Sequence, residues 1–308
     1  MIQIIGAGAI GCLWLAKLLQ AGYPCHIVSR SPLTTNTLTL TDLMGKSHSF
    51  NISHGEYLLN TSLEAQKSSL LVCVKAHQVL PALLQQQTHI HPQQAIILMH
   101  NGYGCAEQVA THFPDNPIIC ASTANASLLT NTLTITHTGA GPSYFGFYPG
   151  HSQVSNSQQI EAILNNYLFP LLQVMPNSHT SQSIIEKCWL KLVINAVINP
   201  LTAIHQIKNG QLRLAQYAPL IQPLVLEIFA IAEAEQLNFD LNELQDTVAN
   251  VIAATADNYS SMNRDIYYGR ETEIEFINGY LIKKAQQHNI ETPILSDLYK
   301  QIKALESH

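Results

Sequence analysis

MIQIIGAGAIGCLWLAKLLQAG, residues Met1–Gly22, runs through an apolar strand, a glycine-rich turn and a helix without interruption. Ile2–Ile5 has strand length and is apolar except for Gln3. Leu13, Trp14, Ala16, Leu18 and Leu19 then repeat with helical spacing until Gly22 stops them. Between strand and helix stands Gly6-Ala7-Gly8-Ala9-Ile10-Gly11, a GxGxxG turn whose glycines have separate tasks in a dinucleotide site. Gly6 permits the tight turn, Gly8 lets the backbone approach a pyrophosphate, and Gly11 lets the helix pack closely on the strand. The helix N-terminus adds N–H groups and a positive dipole end. Gly6, Ala7, Gly8, Ala9, Ile10 and Gly11 are therefore the expected phosphate cradle, with a βα turn that binds nothing as the plain alternative.

Outward from this unit, Cys25–Val28, Leu70–Val74, Ala95–Met99 and Ile118–Ala121 are short and nearly all apolar, and helical patterns separate them. Strands buried on both faces of a parallel sheet have this composition. Thr132–Tyr148 changes to alternation on either side of Gly139, Gly141 and Pro142, which predicts antiparallel strands closing the sheet edge. The polar stretch His151–Gln159 reads as a surface loop. Beyond it strand signals stop and helical patterns run to the end of the sequence. Met175-Pro176-Asn177 breaks the chain, so the expected division is 1–180, a Rossmann-type α/β domain, and 181–308, an all-α domain.

The 308 residues are 46% hydrophobic and 12% charged, enough apolar material for two cores and too much for disorder. Lys and Arg total 15 against 21 acids, a net charge of -6 that offers nucleic acid no general positive field. No apolar run approaches the ~20 residues of a membrane span. Met1 leads directly into a strand with no basic region or cleavage site, so export is not expected. The six cysteines are scattered without CxxC and the 14 histidines without clustering, which points to a reducing cytoplasm and to no metal site.

The end of the second strand distinguishes the cofactors. NAD sites usually carry an acid there for the ribose hydroxyls, whereas this chain has Val28-Ser29-Arg30-Ser31. A guanidinium fork flanked by hydroxyls suits a 2′-phosphate, and Lys75, after the third strand, adds a second cation at the same sheet end. NADP is expected over NAD, although either cation could instead be a solvated surface group.

In the helical half, Ser183-Ile184-Ile185-Glu186 has the capping-box pattern, and the helix it opens carries Trp189, Leu190, Leu192, Val193, Ala196 and Val197. Lys191, Asn195 and Asn199 interrupt the apolar pattern at i, i+4 and i+8, one row on one face. The row suits the polar wall of a cleft. It could equally be two amides serving the backbone and a lysine reaching for water. Ala253–Met262 reads as a helix bearing Asn258 and Ser261, and Glu271–Gly279 opens another with Glu271, Glu273 and Glu275 in its first turn, where the dipole favours acids in any case.

These motifs together resemble the ketopantoate reductase (2-dehydropantoate 2-reductase) family over nearly the full length. The likeness is carried by GAGAIG at Gly6–Gly11, HNGYG at His100–Gly104, KCWLKLVINAVINPLTA at Lys187–Ala203, DNYSSM at Asp257–Met262 and TEIEFING at Thr272–Gly279. The resemblance implies NADPH-dependent reduction of 2-dehydropantoate to (R)-pantoate, in pantothenate and coenzyme A biosynthesis. By the same resemblance Lys191 and Glu273 are the catalytic pair, and Asn101, Asn195, Asn199, Asn258 and Ser261 contact the substrate. Arg30, Lys75 and Asn101 join the glycine turn in holding NADP. A small-molecule substrate, no nucleic acid, no membrane and a monomer or homodimer are expected. A same-fold reductase of another 2-oxo acid and a non-catalytic NADPH-binding regulator are the alternatives.

Overall fold

A computed structural model describes residues 2–55, 68–151 and 157–306. The chain separates into two compact units, one comprising residues 1–100 and 105–187, the other 101–104 and 188–308.

The first unit is built on β1 (Ile2–Ile5), α1 (Ala9–Gln20), β2 (Cys25–Val28), β3 (Thr37–Thr41), β4 (Ser47–Asn51), β5 (Ser53–Gly55), β6 (Ser69–Val72), α2 (Ala76–Gln85), β7 (Ala95–Leu98), α3 (Cys105–His112), β8 (Ile118–Thr123), β9 (Ala126–Asn131), β10 (Thr134–Gly139), β11 (Ser143–Phe147), α4 (Ser157–Val174) and β12 (Ser178–Thr180). The main sheet has the order β12-β11-β8-β7-β6-β1-β2-β5, parallel except where β11 runs antiparallel to β8. Strands β1, β2, β6 and β7 are buried along their whole length, as their apolar composition requires. The strand order reverses at β1, which lies between β2 and β6, so its carboxyl end opens at the switch point where doubly wound sheets bind ligands.

The expectation that Thr132–Tyr148 forms antiparallel strands closing the sheet edge is corrected for its first half. Only β11 joins the main sheet, where β12 lies outside it, while β10 pairs with β3 and β9 in a second sheet of order β4-β3-β10-β9. The reason is the burial of Leu133 and Ile135 with Leu38 and Leu40 in the same core cluster as Cys12, Leu13, Trp14 and Leu15 of α1. That helix is consequently buried almost all round, and Trp14 meets Phe145 edge-on with ring centroids 5.9 Å apart. Asn125 ties the two chain passages between the sheets, its Nδ2 donating to the Gly141 carbonyl at 2.8 Å. The loop expected over His151–Gln159 lies outside the described residues at 152–156, and α4 already begins at Ser157. Strand β12 corrects the expectation that strands end at Gln159.

The second unit contains α5 (Ile184–His205) from Cys188 onward, then α6 (Ala218–Ala234), α7 (Leu241–Ala254), α8 (Ser261–Tyr267), a π-helical turn (Glu275–Gly279), α9 (Tyr280–Gln287) and α10 (Pro293–Glu306). Helix α5 buries Trp189, Leu192, Val193, Ala196, Val197, Ile198 and Leu201. By length and composition it and the segment Ala215–Ala234 reach the size of a membrane span, although Glu186, Lys187 and Lys191 interrupt any apolar run in α5. The burial of α5 marks it as a core helix. Glu227 of α6 accepts from the Ile294 and Leu295 N–H groups, both at 2.9 Å, and so caps α10 from a neighbouring helix.

Two helical expectations also change. Helix α7 stops at Ala254, and Asn258 sits in the connection to α8, because Ser260 caps a fresh helix by accepting from Asn263 N–H at 3.0 Å. Glu271–Glu273 precede their helix rather than open it, and Thr272 Oγ1 accepts from Ile274 N–H at 3.1 Å where helical structure starts.

Candidate active site

In the first unit, Gly6 has φ +111°, and a Cβ there would lie 2.7 Å from Val74 Cγ1 and 2.8 Å from the Cys73 carbonyl oxygen. A side chain is excluded both by the left-handed backbone and by the neighbouring strand. A Cβ at Gly11 would stand 2.0 Å from the Gly6 carbonyl oxygen, so helix and turn touch there. Gly8 differs, since its Cβ would meet nothing nearer than the Cys73 carbonyl oxygen at 3.9 Å. It is the N-cap of α1, with extended backbone and no side-chain cap. The turn is thus tight on the protein side and open at the helix N-terminus, the donor set and shape that fit a dinucleotide pyrophosphate.

The register of β1 with β2 and β6 aligns Ile5 with Val28 and Val72, and Arg30 and Lys75 follow the ends of these neighbours by two and three residues. Arg30 is exposed, and Lys75 is half-buried at the N-cap of α2. Ser29 Oγ donates to the Ser31 carbonyl at 2.6 Å, so its proton is committed to the turn that presents Arg30.

In the second unit, Lys191, Asn195 and Asn199 lie along α5, the first two half-buried and Asn199 buried. Burial pulls the Lys191 ammonium below the usual lysine range, and the Glu273 carboxylate partly restores it. Of the three alternating acids only Glu273 is buried, at 7% exposure, whereas Glu271 and Glu275 are exposed. Asn101 Nδ2 donates to Glu273 Oε2 at 3.0 Å, and the Tyr103 N–H donates to the Phe276 carbonyl at 2.7 Å. Gly102 has φ +80°, and a Cβ there would be 2.6 Å from the Phe276 carbonyl oxygen, so the loop lies directly on the π-helical turn. Asn278 Nδ2 in turn donates to the Ala196 carbonyl of α5 at 3.3 Å. Tyr103, Trp189 and Tyr280 form an aromatic cluster beside these contacts, with centroids 5.0 to 5.9 Å apart. A cation, a carboxylate and an amide from three distant parts of the chain are thereby assembled.

Asn258 and Ser261 are exposed at the other end of the row. Their segment is fastened to α5 by residues that sequence reasoning missed. Thr202 Oγ1 lies 2.8 Å from Ser260 Oγ and donates to the Ile198 carbonyl at 2.7 Å, and Asn263 Nδ2 donates to the Thr202 carbonyl at 2.7 Å. Ser260-x-x-Asn263 carried a readable helix-start signal, but Thr202 carried none. Asn209 was also missed. Its N–H donates to the Asn258 carbonyl at 2.9 Å and its Nδ2 to Thr255 Oγ1 at 2.9 Å.

Among the described residues no cluster of His, Cys, Asp and Glu could hold a metal ion. A half-buried cation coupled to a buried carboxylate, with neutral amides along the same helix, can hold a polarised oxygen, deliver a proton and orient a small anion.

Residues 2–150 match the family described as Ketopantoate reductase PanE/ApbA, and residues 183–306 match Ketopantoate reductase PanE/ApbA C terminal. A 2-dehydropantoate 2-reductase of Vibrio cholerae is 36% identical over 305 residues, covering 99% of this chain and 97% of the relative. A crystal structure of a probable 2-dehydropantoate 2-reductase from Bacillus subtilis has a TM-score of 0.79 at 25% identity and covers 99% of each chain. A dimeric ketopantoate reductase from Staphylococcus aureus shares the fold, with a TM-score of 0.77 at 24% identity over 99% of this chain and 98% of its own.

Proposed function

The chain belongs to the ketopantoate reductase family, and from that premise we infer that Lys191 and Glu273 carry the reduction of 2-dehydropantoate to (R)-pantoate in the second unit. The protein is an NADP-dependent oxidoreductase of pantothenate synthesis. NADPH, when bound, supplies the hydride for the C2 carbonyl carbon. Residues Gly6 to Gly11 would hold its pyrophosphate, Arg30 and Lys75 its 2′-phosphate, and Asn101 would contact it beside the substrate.

Negative charge develops on the carbonyl oxygen, and Lys191 Nζ holds that oxygen and gives it a proton, a role worth about 10²–10⁴ in rate. Glu273 holds the substrate hydroxyl, with Asn101 fixing its carboxylate. Asn195, Asn199, Asn258 and Ser261 orient the substrate carboxylate and hydroxyl with neutral groups that add no charge. We assign cofactor binding to 1–180 and substrate chemistry to 181–308, in a cytoplasmic monomer or homodimer without nucleic-acid or membrane partners.

The observation that carries this reading is the Lys191–Glu273–Asn101 grouping. Its test is NADPH oxidation with 2-dehydropantoate and with a 2-oxo acid of equal bulk lacking the C4 hydroxyl. Glu273→Gln is expected to reduce turnover of the first much more than the second, while Glu271→Gln and Glu275→Gln spare the difference. Equal behaviour of all three variants would leave Glu273 as a buried acid with no part in holding the substrate hydroxyl.

A further inference from the structure

Glu273 stands where regular backbone is missing. It precedes a π-helical turn, and the Glu273 carbonyl accepts from both Phe276 and Ile277 N–H, at 3.0 and 3.1 Å. A carboxylate on such a segment needs support from outside it to hold one geometry. That support comes from the last turns of α10. Glu306 Oε1 accepts from the Thr272 N–H at 2.8 Å and from Thr272 Oγ1 at 2.6 Å. The same Thr272 Oγ1 accepts from Ile274 N–H, so the residues on either side of Glu273 are linked through one hydroxyl. Lys303 Nζ holds the other oxygen, Oε2, at 2.6 Å. Two residues beyond Glu273, Glu275 Oε2 accepts from the Tyr299 hydroxyl, also at 2.6 Å. Tyr299, Lys303 and Glu306 fall at i, i+4 and i+7, one face of α10.

We propose that Glu306, acting through Thr272 and braced by Lys303, is a positioning residue that sets the Glu273 carboxylate for the reaction, with Tyr299 as a second brace at Glu275. The arrangement explains why one oxygen of a nearly buried carboxylate at a helix end far along the chain takes both Thr272 hydrogens while the other is held by Lys303 of the same helix. The inference rests on the reading of Glu273 as the group that holds the substrate hydroxyl.

The test measures kcat and KM of the full-length enzyme for 2-dehydropantoate and for the 2-oxo acid lacking the hydroxyl, together with NADPH affinity, in Glu306→Ala, Glu306→Gln and Glu273→Gln. Glu306→Ala is expected to lower kcat/KM for 2-dehydropantoate about ten- to a hundredfold and to change that for the other acid less than about twofold. NADPH affinity should not change. Glu306→Gln keeps an oxygen that can accept both Thr272 hydrogens and should restore most of the loss. Should Glu306→Ala fail to fold by circular dichroism, Thr272→Val, which removes only the hydroxyl link, is judged by the same ratio of substrates. An equal fall with both acids, or an unchanged ratio while Glu273→Gln shifts it, overturns the positioning role alone. An unchanged ratio in Glu273→Gln overturns the reading of Glu273 and the clamp with it.

Discussion

Gly8 and Gly11 stand three residues apart in one turn, and alanine at each should fail for opposite reasons. At Gly11 the new Cβ would fall 2.0 Å from the Gly6 carbonyl oxygen, a full ångström inside the 3.0 Å that real Cβ contacts respect. The Gly6 carbonyl belongs to rigid backbone and the Cβ is fixed to the helix backbone, so the glycine turn and α1 must separate, an overpacking cost of about 3 kcal/mol or more. The better helix propensity of Ala offsets only about 1 kcal/mol. A net loss of about 2 kcal/mol corresponds to a fall in Tm of roughly 4–8 °C for a unit of this size. At Gly8 the nearest atom is 3.9 Å away, and the backbone, with φ -80° and ψ -178°, accommodates Ala without strain. Reduced freedom of the unfolded chain and a poorer N-cap act in opposite directions, leaving stability within about 1 kcal/mol. The Cβ instead occupies the space through which a pyrophosphate reaches the helix N-terminus. Losing one charge-assisted hydrogen bond, about 1.5–3 kcal/mol, weakens NADPH roughly ten- to a hundredfold. Scanning fluorimetry and NADPH fluorescence titration on the two variants check both halves. Wild-type NADPH affinity in Gly8→Ala, or an unchanged Tm in Gly11→Ala, would refute the geometric argument.

Arg30→Ala should remove most of the preference for NADPH over NADH, since no acid follows β2 and the exposed Arg30 guanidinium is a fork of the kind that suits a 2′-phosphate. Equal affinity of the intact protein for both cofactors in a titration contradicts this. Lys191→Ala should lose about 10²–10⁴ in turnover while NADPH binding and folding persist, and near wild-type turnover on the best substrate would reassign the proton donor. Because burial lowers the Lys191 ammonium, it loses its proton below the ordinary lysine value of 10.5, and kcat/KM should fall on the basic side with a midpoint under that value. Glu273 opposes that lowering, so Glu273→Gln should move the midpoint further down. An upward shift of the pH profile would contradict the coupling.

Sequence by itself determined the elements whose patterns are local. β1, the glycine turn and α1 were legible because apolar run, φ-permissive residues and helical spacing occur within 22 consecutive residues. β2 was legible as a short, nearly all-apolar run, and the row Lys191, Asn195, Asn199 because the helical period of 3.6 is printed in the chain. Tertiary structure decided what depends on partners. The alternation of Thr134 to His137 fits any half-buried strand, and only the burial of Ile135 with Leu38 and Leu40 against α1 selects the second sheet over the main one. Glu271, Glu273 and Glu275 are equivalent as a pattern, and they separate only because one is buried with Asn101, 172 residues away, while its neighbour Thr272 is held by Glu306. Hydrogen bonds at such separations leave no period in the sequence, because each partner satisfies its own local rules and the pairing is fixed by how the helices pack.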